Sequence, residues 1–173
     1  MKTVSFSVVL VLLMLVVNAV PSIAQDDLTF ADPSVEYSFN IPDPKWKMTI
    51  KPSATSPNVE YVYGDRSDGH LEIRKVTVSK DTILSDVLAD EEKKLQFRQG
   101  FVAGREENFT GKLRGAVYNF EYVARGRNMS GRFYFLKAND STVYILRFTG
   151  GKDTLRAIRN QTDSIARTFA VKS

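Results

Sequence analysis

Cysteine is missing from this chain of 173 residues, and histidine and tryptophan each occur once. Without cysteine there is no disulfide, no thiol nucleophile, no thiolate metal ligand and no cysteine on which to hang a lipid anchor. A single histidine, His70, also rules out paired-imidazole metal sites, because such centres gather several His, Cys or carboxylate ligands at one point. Excess charge of one sign is small. The net charge is +4, short of the concentrated basic face that nucleic-acid binding requires. Internal repeats, low-complexity tracts and linkers are all lacking between residues 35 and 170, so that stretch reads as one domain.

Long apolar runs are confined to the start. Lys2 precedes an apolar stretch over residues 8–17, and Ser22 and Ala24 then stand three and one residues before Gln25. That order of charge, apolar run and small residues is an export signal. Asn18, Pro21 and Ser22 interrupt the run short of the ~20 residues that span a bilayer. Residues 1–24 are therefore expected to be cleaved, leaving no membrane span. The protein is expected in a bacterial periplasm or the extracellular space. Residues 25–34, polar and containing Pro33, are expected to form a flexible leader.

From residue 35 onward the chain is rich in alternation. Val35, Tyr37, Phe39 and Ile41 fall on one face, as do Trp46, Met48 and Ile50, and then Val59, Tyr61 and Tyr63; period two of this kind predicts half-buried strands. A fourth strand runs over residues 71–78, where Leu71 and Ile73 are out of phase with Val76 and Val78, predicting a bulge near Arg74-Lys75. The period then lengthens: Ile83, Leu84, Val87, Leu88 and Leu95 make one helical stripe, predicting a helix over 82–98 with Ser79 or Asp81 as cap and Gly100 as stop. Residues 101–111 suggest a short edge strand. Three strong strands over 113–125, 131–138 and 142–149 come next as an antiparallel meander. A last helix over 153–168, capped by Asp153 or Thr154, carries Leu155, Ile158, Thr162, Ile165 and Ala166 on one face. Strands in runs, with helices between and after them, define an α+β protein built on a mainly antiparallel sheet.

Two end motifs give this order a likeness. Tyr37-Ser38-Phe39-Asn40-Ile41-Pro42-Asp43-Pro44-Lys45-Trp46 resembles the opening of PsbP-like domains, and Ile165-Ala166-Arg167-Thr168-Phe169 resembles their close. That superfamily includes the extrinsic P protein of photosystem II, a Ran-binding nuclear import factor and periplasmic DcrB-like proteins. The resemblance covers residues 35–170 and implies an α/β/α sandwich that works without catalysis, as a binding or accessory module on another protein. It brings no cofactor and carries over no site residues. No thylakoid targeting element accompanies the export signal.

Chemistry-bearing patterns are few. His70 beside Asp68-Gly69 is read as a turn-end histidine near solvent. Gly64-Asp65-Arg66-Ser67-Asp68-Gly69 lacks the spaced ligands and closing Glu of a calcium loop and is read as a hairpin turn. Thr149-Gly150-Gly151-Lys152 lacks the earlier Gly and the following Ser or Thr of a phosphate loop. The aromatic strands 113–125, 131–138 and 142–149 are read as core rather than as a base-stacking face. One candidate remains: the meander is expected to bring Arg125, Arg127, Arg132, Arg147 and Lys152 to one edge beside the final helix, a surface for an anion or a protein partner. The leading expectation is an exported, non-enzymatic binding module with an unknown protein partner. The alternative is a carrier or sensor of a small apolar ligand held between sheet and helix.

Overall fold

The computed structural model describes residues 28–172; the export signal expected over residues 1–24 lies outside them. Five strands come first: β1 (Leu28–Ala31), β2 (Tyr37–Ile41), β3 (Trp46–Ile50), β4 (Val59–Tyr63) and β5 (Gly69–Thr77). Helix α1 (Leu84–Leu95) leads into the meander of β6 (Val102–Thr110), β7 (Arg114–Ala124), β8 (Arg127–Asn139) and β9 (Thr142–Gly151). Helices α2 (Lys152–Ala157) and α3 (Arg159–Thr168) and the short β10 (Ala170–Val171) complete the order. All strand pairs are antiparallel. Seven strands form one sheet in the order β3-β4-β5-β9-β8-β7-β6, and β1-β2-β10 form a second, small one.

The large sheet is covered on both faces, which explains its density of apolar residues. On one face α1 brings Val87, Leu88 and Leu95 onto Tyr118, Phe120, Phe133, Phe135 and Ile145. On the other, the small sheet, α2 and α3 bury Tyr37, Phe39, Leu155, Ile165 and Phe169 against Leu71, Tyr134, Tyr144, Leu146 and Phe148. The molecule is therefore an α+β sandwich in which the second cover is part helix and part sheet.

Several sequence expectations are corrected by this two-sided packing. Leu71 and Ile73 serve one core and Val76 and Val78 the other; β5 pairs with β9 without interruption from His70 to Thr77, so the change of phase is a change of face and not a bulge. The 35–41 segment keeps its predicted alternation, but β2 pairs with β1 and β10 rather than joining the large sheet. Leu28–Ala31, expected within the flexible leader, form β1 on β2, with Phe30 buried against Phe39 at 4.8 Å between ring centres. The last helix is broken at Ile158 (φ −96°, ψ 15°), because α2 packs on β8 and β9 while α3 turns to pack on β2. The expected caps are not used: Ile83 precedes α1 and Gly151 precedes α2, neither with a side-chain cap bond.

Candidate functional site

The five cations expected at one edge are divided among three places. Arg132 lies opposite Phe148 and Arg147 opposite Phe133 in the β8–β9 ladder. Successive strand residues face opposite ways, so these two arginines leave the sheet on opposite faces. On the α2–α3 side, Arg132 donates through Nε to the Tyr134 hydroxyl at 2.6 Å, through one terminal nitrogen to Asn119 Oδ1 at 2.6 Å, and through the other to Asp163 Oδ1 at 2.8 Å. Burial works against its charge, but the Tyr134 phenol and the Asp163 carboxylate more than offset this and hold its pKa above the ordinary value. Burial also pushes the Tyr134 phenol upward. On the α1 side, Arg147 is held by Glu72 at 3.3 Å and by Glu91, with Phe133 under its guanidinium. Burial and the neighbouring Arg74 lower its pKa, although an arginine stays protonated at any working pH. Arg125 (φ 51°) and Gly126 (φ 71°) form the tight β7–β8 turn and carry Arg125 and Arg127 at its tip. Lys152 lies at the rim of a groove with room for a partner, paired with Glu121 at 2.7 Å. Arg132 closes the inner end of that groove, already satisfied by its own ligands.

The groove, about 490 Å³, runs between the β6–β7–β8 edge and the α2–α3 bend. Its floor is apolar, with Val102 and Ala103 of β6 and Leu155 of α2; Phe120 of β7 borders it but turns its ring into the α1-side core. Strand β6 reaches into place through an irregularity between Ala103 and Glu106. Gly104 allows it, since a Cβ there would stand 2.1 Å from the Asn119 carbonyl oxygen. Its rim is cationic. Lys152 and Arg156, four residues apart, share a side of α2, and Arg159, which opens α3 just past the break at Ile158, lines the same groove. Each has an acidic neighbour: Glu121, Asp153 at 2.7 Å and Glu107 at 3.9 Å. These are exposed pairs, worth about 0–1 kcal/mol each, which an incoming carboxylate can replace. Sequence reasoning misses Arg156 and Arg159, although their spacing from Lys152 is a signal that could find them.

His70 is only 8% exposed rather than a solvent-side turn residue. Its Nε2 lies 2.8 Å from Glu60 Oε2, a carboxylate shared with Arg66 at 3.2 Å. Glu60 reaches it from the neighbouring strand β4, a pairing that adjacency in sequence does not reveal. The Gly64–Gly69 turn is a turn, as expected: Asp65 Oδ1 accepts from the Ser67 hydroxyl and amide, both at 2.6 Å, and from the Asp68 amide at 3.1 Å. Those bonds, the Ser67 hydroxyl foremost, hold the Asp65 carboxyl below its ordinary pKa. Among the described residues no group of three or more His, Asp or Glu is arranged to hold a metal ion. None of the described helices is long and apolar enough to cross a membrane.

No family model matches the sequence, and no curated protein matches it either. Solved structures do resemble it. The Ran-binding protein Mog1p of Saccharomyces cerevisiae superposes with a TM-score of 0.62 at 10% identity, over 86% of this chain and 96% of that one. Cyanobacterial PsbP of Synechocystis gives 0.55 at 15% identity, over 83% and 91%. LpqN, involved in cell envelope biogenesis of Mycobacterium tuberculosis, gives 0.55 at 14% identity, over 86% and 92%. The chain thus has the PsbP-like fold that its end motifs suggested. At these identities the likeness is one of architecture.

Proposed function

We propose that this protein is an exported, non-catalytic accessory module that binds an acidic, partly apolar segment of a partner protein in the groove between β6–β8 and the α2–α3 bend. The observation that carries the reading is the pairing of an apolar floor with the Lys152, Arg156 and Arg159 rim. Apolar side chains of the segment would cover Val102 and Leu155, and its carboxylates would displace the weak surface pairs on the rim. Charge complementarity of this kind sets association rate and partner choice more than raw affinity. Domains of the same fold are found in a Ran-binding protein and in a protein involved in cell envelope biogenesis, which supports a scaffold suited to partner binding. The proposal includes removal of residues 1–24 and action in the periplasm or extracellular space.

The test is affinity capture from a native envelope extract by the protein and by an Arg156→Glu/Arg159→Glu variant, at low and at high salt. A partner retained by the native protein, eluted by salt and absent from the variant is the expected result. Equal retention by both would move the contact away from the groove. The same apolar floor favours a second reading, a carrier of a small apolar ligand, since the groove volume falls within the range of ligand sites. A co-purifying mass in the native mass spectrum, lost in Val102→Glu, would replace the first reading with this one.

A further inference from the structure

On the opposite face of the large sheet, away from the groove, we infer a second binding site: a pocket for a small phosphate-type oxyanion at the C-terminal end of α1. The pocket holds about 330 Å³ and is walled largely by groups that donate hydrogen bonds or carry positive charge. Arg66 comes from the β4–β5 turn, His70 from β5, Lys94 and Arg98 from the end of α1 and just beyond it, and Arg147 and Thr149 from β9. One wall carboxylate, Glu72, faces them.

Charge decides what such a pocket can accept. Three glutamates surround it, and each is already engaged: Glu60 by His70 and Arg66, Glu72 by Arg74 and Arg147, Glu91 by Arg147 and Lys94. Glu60 and Glu91 are turned inward, with side chains 14% and 8% exposed. Against these three stand Arg66, Arg74, Lys94, Arg98 and Arg147, so the local balance is positive even with His70 neutral. Arg98 is the surplus charge. It has no carboxylate partner among the described residues, and its guanidinium lies 4.6 Å from the Tyr122 ring centre. Stacking of that kind fixes the plane of the group and leaves its N–H edge available for a planar or tetrahedral oxyanion. The negative end of the α1 dipole opposes an anion here, but it is worth only about 0.3–1 kcal/mol at an exposed helix end, and Lys93 and Lys94 in the last turn complement it.

A monocarboxylate would compete on equal terms with the glutamates already present. A tetrahedral dianion differs, because its oxygens can meet cations from several elements at once through charge-assisted bonds. The volume admits a phosphate together with a small group esterified to it. Phe97, next to Arg98 in the chain and 92% exposed, offers an apolar side chain to a lipid surface. The same phosphate chemistry can therefore come from a soluble phosphomonoester or from a lipid headgroup.

Inorganic phosphate is the first probe, titrated calorimetrically into the purified full chain with ionic strength matched by chloride. Saturable one-to-one binding is expected, weakened at least tenfold in Arg98→Gln and in Arg66→Gln. Both replaced side chains are exposed, so the melting temperatures of these variants are expected to match the native protein. Arg114→Gln, an exposed change at the opposite end of the meander, where Arg114 pairs with Lys137, is the control and should bind phosphate unchanged. Absence of saturable heat, an equal response to chloride, or full affinity in both pocket variants would overturn the assignment. Vesicles of phosphatidylcholine with and without phosphatidic acid then distinguish the sources. Flotation with phosphatidic acid that free phosphate competes away and Phe97→Ser weakens makes the ligand a headgroup. Phosphate binding without flotation makes it a soluble phosphomonoester. Loss of groove-dependent partner capture would leave this pocket untouched, as the two sites use different faces.

Discussion

Arg132 and Asp163 form a pair whose side chains are 7% and 22% exposed, joined to Tyr134 and Asn119. Removing one member of a buried pair strands the other charge, a loss of about 3–5 kcal/mol. Because Asp163 is partly wet, Asp163→Ala is expected at the lower end, about 3 kcal/mol, lowering the melting temperature by roughly 6–12 °C; thermal denaturation checks this. Glu36 gives a pH prediction. The Lys75 ammonium foremost, then the Tyr144 hydroxyl, hold its pKa down to about 2 against an ordinary 4.5. A carboxylate depressed on folding adds stability that is present above the unfolded value and is lost as pH falls through the folded one. Native stability should therefore decline between about pH 4.5 and 2, and Lys75→Met or Tyr144→Phe should flatten that decline in denaturant midpoints measured against pH. Unchanged slopes would remove Glu36 from the acid limb. At this scale the sequence shows which residues approach one end of the meander but not which face each takes. A shift of one residue in register exchanges the faces, and register is settled by long-range pairing. Arg132 and Arg147 are thus grouped together by the sequence and separated by the sheet.

Gly150 and Gly151, which superficially suggest a phosphate loop, have a packing explanation instead. The Gly151 amide donates to the Ser67 carbonyl at 2.8 Å, fastening the start of α2 to the β4–β5 turn. A Cβ at Gly150 would stand 2.3 Å from the Asp68 carbonyl oxygen. Since the obstacle is backbone, Gly150→Ala is expected to cost about 3 kcal/mol, the upper end for an overpacked site. Gly126→Ala meets nothing within 4 Å and should cost only the strain of a positive φ, about 1 kcal/mol. Equal losses in urea titrations would contradict this account of the double glycine. The bend at Ile158 shows why an element can be recognised while its shape is not. Leu155, Ile158 and Ile165 keep helical spacing throughout, so the pattern predicts one rod. The break arises because its two halves cover different sheets, a demand the local sequence does not express.

For the molecule as a whole, the order of strand and helix is enough to give the α+β class, and the two end motifs give the PsbP-like likeness. The assignment of strands to two sheets is not legible, because β1 and β10 come from opposite ends of the described chain and meet only on β2. Architecture also predicts how stability is distributed. Strands β5, β9, β8 and β7 are flanked on both sides and covered by packed layers, whereas β6 is an edge strand with nearly every residue exposed. Amide exchange should be slowest in the first group and fastest in β1 and β6, as local opening depends on burial and pairing; a protected β6 would show that its edge is occupied in solution. Trp46, the sole tryptophan, stands on β3 of the large sheet and faces α3: its ring centre is 5.8 Å from that of Phe148, and its Nε1–H donates to Gln161 at 2.9 Å. One optical label thus lies at the contact between the sheet and the α3 cover, and none lies under the α1 cover. Emission that shifts ahead of the circular-dichroism transition would mean that the α3 cover lifts while the sheet persists; coincident curves would mean that both covers and the sheet give way as one unit.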